Sequence, residues 1–487
     1  MSIQVSPSLI PNPDELSLTS ALVDRDPYLV ELLKQCQALN IQLIEPEMVA
    51  WVQEVRDRAQ SLARQFTLPT RRDEEWRFTD LSSLRQVTFQ ASAQKVELPD
   101  GSDVSALIPE AANSRLVFVN GVYAPGLSAV ADLPDGVVVS NLAGLPITHR
   151  SRVRDYLDQS QGSQLRAGVP PVEQTGVAQE LFTALNTSGL TDVAVVWVPK
   201  NLVVETPIHL LFISAPGEMP TFSQPRCLVV AESGSAVTLI EEYTNRSNAA
   251  NKESVEREGE GVYLTNAVTE IWLEENAQVS HTRVEQESNA AFHIGKSAIA
   301  QARDSRYTCN AITMGAKLSR HNLEIFQTGE QTETTLNGLT MIAGQQLADT
   351  HSAIALNHPY GTSRQLHKCI VADRAHAVFN GKVFVPKPAQ LTDAGQLNRT
   401  LLLSPQARVD TKPQLEIIAD NVKCSHGATV SQLDDDEVFY LRSRGLDEAD
   451  ARNLLINAFA AEIINQLPVA SLRQTLSTVV RNQRERG

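Results

Sequence analysis

From about residue 190 to 430 the chain is built of short β-prone runs. "DVAVVWV", "PIHLLFI", "RCLVVAE", "AVTLIEEY", "VYLTNAVTEIWLE", "KCIVADR", "AVFNGKVFV" and "PQLEIIA" are β-branched or alternate in polarity, with turn residues between them. A degenerate phrase recurs among them, as "VAESGSAV", "LEENAQV", "VADRAHAV" and "LSPQARV". Each sets an apolar pair, a polar corner and then a small residue near a valine. Stacked rungs of a parallel β-helix would write such a phrase, because each rung needs an inward apolar pair and a small side chain where the chain turns. A large sandwich or barrel would leave much the same texture. The spacing is irregular, so periodicity leaves the two open. The polar run "NRSNAANKESVEREGEG" (245 to 261) reads as an exposed loop within this region.

The flanks differ. Residues 1–100 read as helical: "PYLVELLKQCQALN" puts Leu29, Leu32, Leu33 and Cys36 on one face, and "AWVQEVRDRAQSLARQF" does the same with Trp51, Val55, Ala59, Leu62 and Phe66. Pro69 breaks that run, and Thr70 with Asp73 suggests an N-cap for a further helix over "RRDEEWRFTDLSSL". Residues 101–190 are mixed and include a polar, Gly- and Pro-bearing linker, "RSRVRDYLDQSQGSQLRAGVPPVEQTG". The β region proper spans 191–433. The tail, 434–487, is helical again. Asp434 or Asp435 can cap "DDEVFYLRSR", Gly445 can end it, and Asp447 restarts a helix with Asp450 three residues on. In that last helix Ile456, Phe459, Ala460, Ile463 and Leu467 form a stripe, which Leu454, Ala458, Ala461 and Ile464 widen into a girdle. A girdle this wide is either buried within its own domain or docks another chain.

Composition removes several classes of function. At 487 residues and 42% hydrophobic content the chain is long and apolar enough for a sizeable core. Its formal net charge of -15 offers no general attraction to nucleic acid or anionic membrane. No apolar run reaches the length of a membrane span, and the N-terminus lacks the basic and apolar regions of a secretory signal. The five cysteines (Cys36, Cys227, Cys309, Cys369 and Cys424) are scattered and odd in number, which fits a reducing compartment; the expected location is the cytoplasm, or an organelle stroma if the source bears plastids. Gly295-Lys296-Ser297 mimics the end of a phosphate loop, but Ala290 stands where the first glycine is required and the following segment looks extended. The chain is therefore not expected to hydrolyse ATP. His367/Cys369 and Cys424/His426 are two potential ligand pairs, since residues two apart on a strand face one way. Four ligands exist on paper for zinc, with nothing to bring the pairs together. A Cys/His hydrolase is weaker still, because residues at i and i+2 rarely reach hydrogen-bond geometry and no third group orients them. What survives is a thiol and an imidazole at the turn where the β region gives way to the tail. Thiolates suit iron and sulfide, and imidazole can replace a thiolate on iron, so the pair could supply a minority of the ligands to a labile cluster.

The stretch from 375 to 465 resembles the SufB/SufD family of iron–sulfur cluster assembly proteins. The phrases that carry it are "AHAVFNGKVFV", "AQLTDAGQLNRTLLLS", "VDTKPQLEIIADNVKCSHGATV" and "VFYLRSRGLDEADARNLLINAFAAEII". "EEWRFTDLSSL" and "FTALNTSGLTDVAVVWVPKNLVVETPIHLLF" look like the SufD branch, as does Gly427, where the SufB branch typically carries Glu. The resemblance implies a mainly β fold: a parallel β-helix flanked by N- and C-terminal α-helical regions. It implies a non-catalytic scaffold subunit in a complex with a SufB-like subunit and a SufC-like ATPase. His426, with Cys424, would then lie at the junction with the SufB-like chain, as a transient ligand to iron or a shared cluster, with no tightly bound cofactor. The tail, with Ile456, Phe459, Ile463 and Ile464, would receive the ATPase. His367 and Cys369 stay structural. The competing reading is a stand-alone β-helical enzyme or metalloprotein.

Overall fold

The computed structural model describes residues 26–43, 45–91, 108–158, 177–245 and 261–482. The N-terminal 25 residues, most of the 150–176 linker and nearly all of the 245–261 loop expected from the sequence lie outside the described residues.

The β region is a parallel solenoid with two strands per rung. In chain order the strands are Ala194–Val198 (β1), Val203–Ser214 (β2), Arg226–Ala231 (β3), Ala236–Asn245 (β4), Tyr263–Leu273 (β5), Gln278–Gln286 (β6), Phe292–Gln301 (β7) and Arg306–Thr313 (β8). They continue with Leu318–Gln327 (β9), Glu333–Ile342 (β10), Leu347–Ala355 (β11), Thr362–Val371 (β12), His376–Val385 (β13), Asp393–Leu402 (β14), Arg408–Ile417 (β15) and Lys423–Gln432 (β16). Odd strands stack into one sheet and even strands into the other, each strand pairing in parallel with the one a rung away. Ser114–Val119 extends the even sheet beside β2, and Val138–Asn141 closes the odd sheet antiparallel to β1. The sheets therefore begin in the segment that the sequence marks as mixed.

The recurring phrase marks the corners. "VAESGSAV" joins β3 to β4, "LEENAQV" β5 to β6, "VADRAHAV" β12 to β13 and "LSPQARV" β14 to β15. At three corners a left-handed residue, Asn276 (φ 57), Asp304 (φ 61) or Asp373 (φ 52), swings the chain between sheets. Asn and Asp tolerate that region better than other side-chain-bearing residues. The small residue that follows, Ala277, Ser305 or Ala375, is fully or almost fully buried in the bend.

Register carries each inward row straight down the tube. One half of the lumen is apolar, with Val229, Leu239, Ile271, Val279, Ile299, Ile325, Leu336, Ile354 and Val383. The other half is polar. Glu241 accepts from Tyr243 Oη (2.6 Å) and Thr269 Oγ1 (2.9 Å) and pairs with His281 Nε2 (3.1 Å). Burial pushes the Glu241 carboxyl up, but His281 and Arg283 outweigh it and bring it down to about 2. Farther along, His321 Nε2 meets Ser297 Oγ (3.0 Å), and His367 stacks on Phe379 with its Nε2 3.1 Å from Thr340 Oγ1. Burial holds His367 down at about 4 and pushes the Cys369 thiol up to about 12.

The outer faces are covered by the two ends of the chain. Pro27–Ala38 (α1), Pro46–Ala63 (α2) and Val177–Ser188 (α3) pack on the odd sheet, where Leu29, Leu32, Leu33 and Cys36 meet Phe222, Phe292 and Ile294. Residues 70–85 are not the helix that the Thr70/Asp73 pattern suggests. They form turns, a 3-10 segment at Glu74–Trp76 and a single helical turn at Ser82–Arg85. The reason is tertiary: Trp76 is buried, and Arg320 lies 3.9 Å above its ring. Arg320 Nη1 reaches Glu75 O (2.8 Å) and Asp349 Oδ2 (2.5 Å), and Thr79 also donates to Asp349. Glu75 pairs with His351 (3.2 Å) and Glu74 with Lys412 on β15 (2.7 Å). This N-terminal clasp spans the rungs from β9 to β15.

The tail begins with Asp435–Ser443 (α4), whose Asp434 cap accepts from Asp436 N and Glu437 N, and Gly445 (φ 99) ends that helical stretch. Glu448–Ile464 (α5) starts on Asp447, which accepts from Asp450 N, and Ala470–Asn482 (α6) follows. These helices cover the even sheet. Ala460, Ile463, Ile464, Leu467, Leu472 and Leu476 pack on Ile240, Val284, Ile312, Leu339, Met341 and Ile370. Among the described residues no helix is long and apolar enough to cross a membrane.

The lumen makes stability pH-dependent. His367 is held below its ordinary value, so an unfolded chain binds a proton below pH ~6.5 that the folded chain refuses until about pH 4. The stability from that neutral ring is complete above pH ~6.5 and is lost as pH falls toward 4, on the order of 3 kcal/mol in all. His321 acts with the same sign. Urea unfolding of the full chain across this range should therefore show stability falling with acid, and His367→Asn should flatten part of the slope.

Candidate functional site

Cys424 and His426 lie on β16, not at a turn beyond the strands as the sequence suggests. Within the β region that was expected to end at 433, "KCSHGATVSQ" is itself a strand, because it pairs in register along the whole of β14, from Asp393↔Lys423 to Leu402↔Gln432. Register fixes their direction. Gln396↔His426 and Ala394↔Cys424 are partners, and Gln396 and Ala394 both face the lumen. Both candidate residues therefore belong to the inward row of the last rung, at the open end of the tube. Cys424 is half-buried against the lumenal cluster, whereas His426 is exposed. Burial pushes the Cys424 thiol above its ordinary value, so it waits protonated and must lose that proton to bind a metal.

The end itself is bare. Among the described residues β15 and β16 have no strand on their outer edges, and Ile417, Ile418 and Val430 are exposed there. An open cleft of about 620 Å³ nearby is lined in part by Arg364, Asp393, Gly395, Ser425 and His426.

The second pair stands apart. His367 and Cys369 are inward on β12, two rungs up, where His367↔Asn398↔Ala428 and Cys369↔Thr400↔Val430 are the ladders. The two pairs are not brought together, and no group of three His, Cys, Asp or Glu among the described residues could hold a metal ion. Gly338 makes room for the His367 ring, since a Cβ there would lie 2.1 Å from Nδ1. His367 and Cys369 are thus packed parts of the lumen. Gly295-Lys296-Ser297 is mid-strand in β7, with Lys296 paired to Glu324 (3.1 Å) on the outer face, so no phosphate cradle forms there.

The tail girdle is mostly spent within the chain. Ile463 and Ile464 are buried against the even sheet, so they offer no free docking face. Ile456 and Phe459 are partly buried in the same contact, and Lys368 Nζ both donates to Phe459 O (2.9 Å) and sits over its ring. The girdle was too wide for one partner because it meets the sheet on one side and α6 on another. What remains exposed is Phe439, Tyr440 and Leu454, a set that the stripe analysis did not isolate.

Comparison with known proteins fits this geometry. The SUF-system FeS cluster assembly SufBD core domain matches residues 212–459, and the SufBD protein N-terminal region matches residues 29–210. The chain belongs to the SufBD family. An iron–sulfur cluster assembly SufBD family protein of Synechocystis is 48% identical over 455 residues, covering 92% of this chain and 95% of that protein. A chloroplastic protein named ABCI7 from Arabidopsis thaliana is 34% identical over 92% of this chain and 89% of its own length. The iron–sulfur cluster assembly protein SufD of Escherichia coli is 33% identical over 84% of this chain and 87% of its own length. The SufBD role is iron–sulfur cluster assembly, and the parallel β-helix with helical flanks is the fold that the sequence resemblance implied.

An exposed residue at an open end should matter little to folding. His426→Ala is expected to change unfolding free energy by no more than about 0.5 kcal/mol, as for most surface substitutions. Ile463→Asp, which puts a charge into the sheet–helix contact, should cost several times more. Denaturant melts of both variants check the contrast.

Proposed function

We propose that the chain is a non-catalytic scaffold subunit of a SufBCD-type complex. It meets a SufB-like subunit end to end and supports ATP-dependent assembly of iron–sulfur clusters at that junction. The observation that carries this reading is the placement of His426 and Cys424 on the inward row of β16, the last rung, whose outer edge no strand among the described residues covers. Two ligating side chains are too few for a cluster, which usually takes four. A second chain at this end would add the missing ligands and cover the exposed edges. The cluster is cargo: neutral His426 offers a ring nitrogen, and Cys424 a thiolate once its proton leaves. We place the chain in the cytoplasm, or in the stroma of a plastid-bearing source.

A SufC-like ATPase supplies the nucleotide chemistry, since Gly295-Lys296-Ser297 is mid-strand here and forms no phosphate loop. Its docking surface is proposed at Phe439, Tyr440 and Leu454, which α4 and α5 leave exposed.

Co-expression with both partners tests the two surfaces separately. Ile418→Asp with Val430→Asp should weaken capture of the SufB-like subunit at least about tenfold, since burying each side chain is worth roughly 1.5–3 kcal/mol. Phe439→Asp with Tyr440→Asp should lose the ATPase and keep the SufB-like chain. His426→Ala should keep both partners and lose cluster formation. Normal cluster yield from the His426→Ala complex would overturn the role of the last rung.

A further inference from the structure

The inward row above His426 is a glutamine ladder. Gln365 on β12 and Gln396 on β14 are register partners, and His426 on β16 is the next member of the same row. Gln396 Nε2 donates to Gln365 Oε1 (2.8 Å), and Gln365 Nε2 donates to Ser352 Oγ (2.8 Å) on β11. The first donation runs up the ladder, away from the open end, and the second crosses the lumen to the facing sheet. Gln396 is buried, only 4% exposed, and its Oε1 has no hydrogen-bond partner among the described residues. An amide that donates up the ladder turns its acceptor toward the rung below, which carries His426 about 4.8 Å along the sheet. A buried acceptor of this kind is costly unless something donates to it. Space for the amide is built in from the facing sheet: a Cβ on Gly381 would lie 2.0 Å from Gln396 Nε2.

We propose that Gln396 is the positioning residue of His426. One ring N–H of His426 donates to Gln396 Oε1. That bond selects one neutral tautomer and leaves the other ring nitrogen as a lone pair directed out of the tube, toward incoming iron or cluster. Ligating histidines generally need such a partner on the second nitrogen, and its loss typically costs 10–100-fold in metal affinity or activity. Gln365 and Ser352 act through Gln396, by holding its amide in one orientation. The proposal rests on the cluster-assembly reading of His426, but its first readout does not.

The test is the His426 tautomer in the metal-free full chain, labelled with nitrogen-15 at histidine and studied by NMR in mildly alkaline solution. The resonance is assigned by its loss in His426→Gln. Wild type should show one tautomer, with distinct protonated and unprotonated ring nitrogens. Gln396→Leu should give exchange-averaged nitrogens, and Gln396→Glu, which keeps an acceptor oxygen, should restore the single tautomer. In the complex with the SufB-like and SufC-like chains, Gln396→Leu should retain both partners and lose about tenfold in cluster yield. An unchanged tautomer in Gln396→Leu overturns the proposal. Should that variant not fold, Gly381→Ala displaces the same amide from the opposite wall, and an unchanged tautomer there overturns it equally. Normal clusters from His426→Ala would defeat the functional reading instead, while leaving the tautomer result standing.

Discussion

Everything in this molecule hangs on the in-register parallel ladder between rungs. Because each strand pairs with the one a full turn away, a side chain's direction is inherited from the rung above. A slip of one residue would send Glu241, Arg283 and His281 outward and the outer apolar row inward. The polar half of the lumen therefore works as a register key. Glu241, His281, Tyr243 and Thr269 satisfy one another only when β4, β5 and β6 sit at their native offsets.

The same ladder makes the two ends unlike. At the first rungs Val138–Asn141 and Ser114–Val119 pair with the solenoid, and helices α1 to α3 add cover to the odd sheet. At the last rung nothing among the described residues pairs with β15 or β16. Natural sheets seldom leave such edges bare without a device to blunt them or a partner to take them. The candidate Cys424/His426 pair sits at that end, and behind it burial holds the Cys227 and Cys369 thiols protonated. Cys369, two rungs in, is pushed up to about 12 by burial and is a packing residue.

Local signals were legible where local chemistry decides the structure. Corners showed through Asn276, Asp373 and the small residues after them, and the tail helices through Asp434, Asp447 and Gly445. The 70–85 segment was misread because Trp76 is held by Arg320, a residue 244 positions later, and no local pattern carries that (320 − 76). Ile463 and Ile464 read as a docking face because amphipathicity reports that a surface is covered, not by which chain. His426 was found through family phrases, but its strand and direction came only from the register with β14. Gln365 and Gln396 escaped notice although they lie 31 residues apart, one rung, with His426 following a rung later. Irregular corner lengths blur that period, and glutamine alone signals nothing.

The N-terminal clasp has a bearing on timing. Glu74 reaches Lys412 across 338 positions, and Glu75, Trp76 and Thr79 grip Arg320, Asp349 and His351 on the way. Loop closure over such separations is among the slowest contributions to folding. Rungs can stack as they emerge from synthesis, each on its predecessor, but β15 gains its brace only when a segment made well before the solenoid comes round to meet one of its last strands. The open mouth is thereby completed late. The edges of β15 and β16 are thus finished only after residues 74–79 have closed over the strands from β9 to β15, so the completed edge is itself a sign that this long-range closure has taken place.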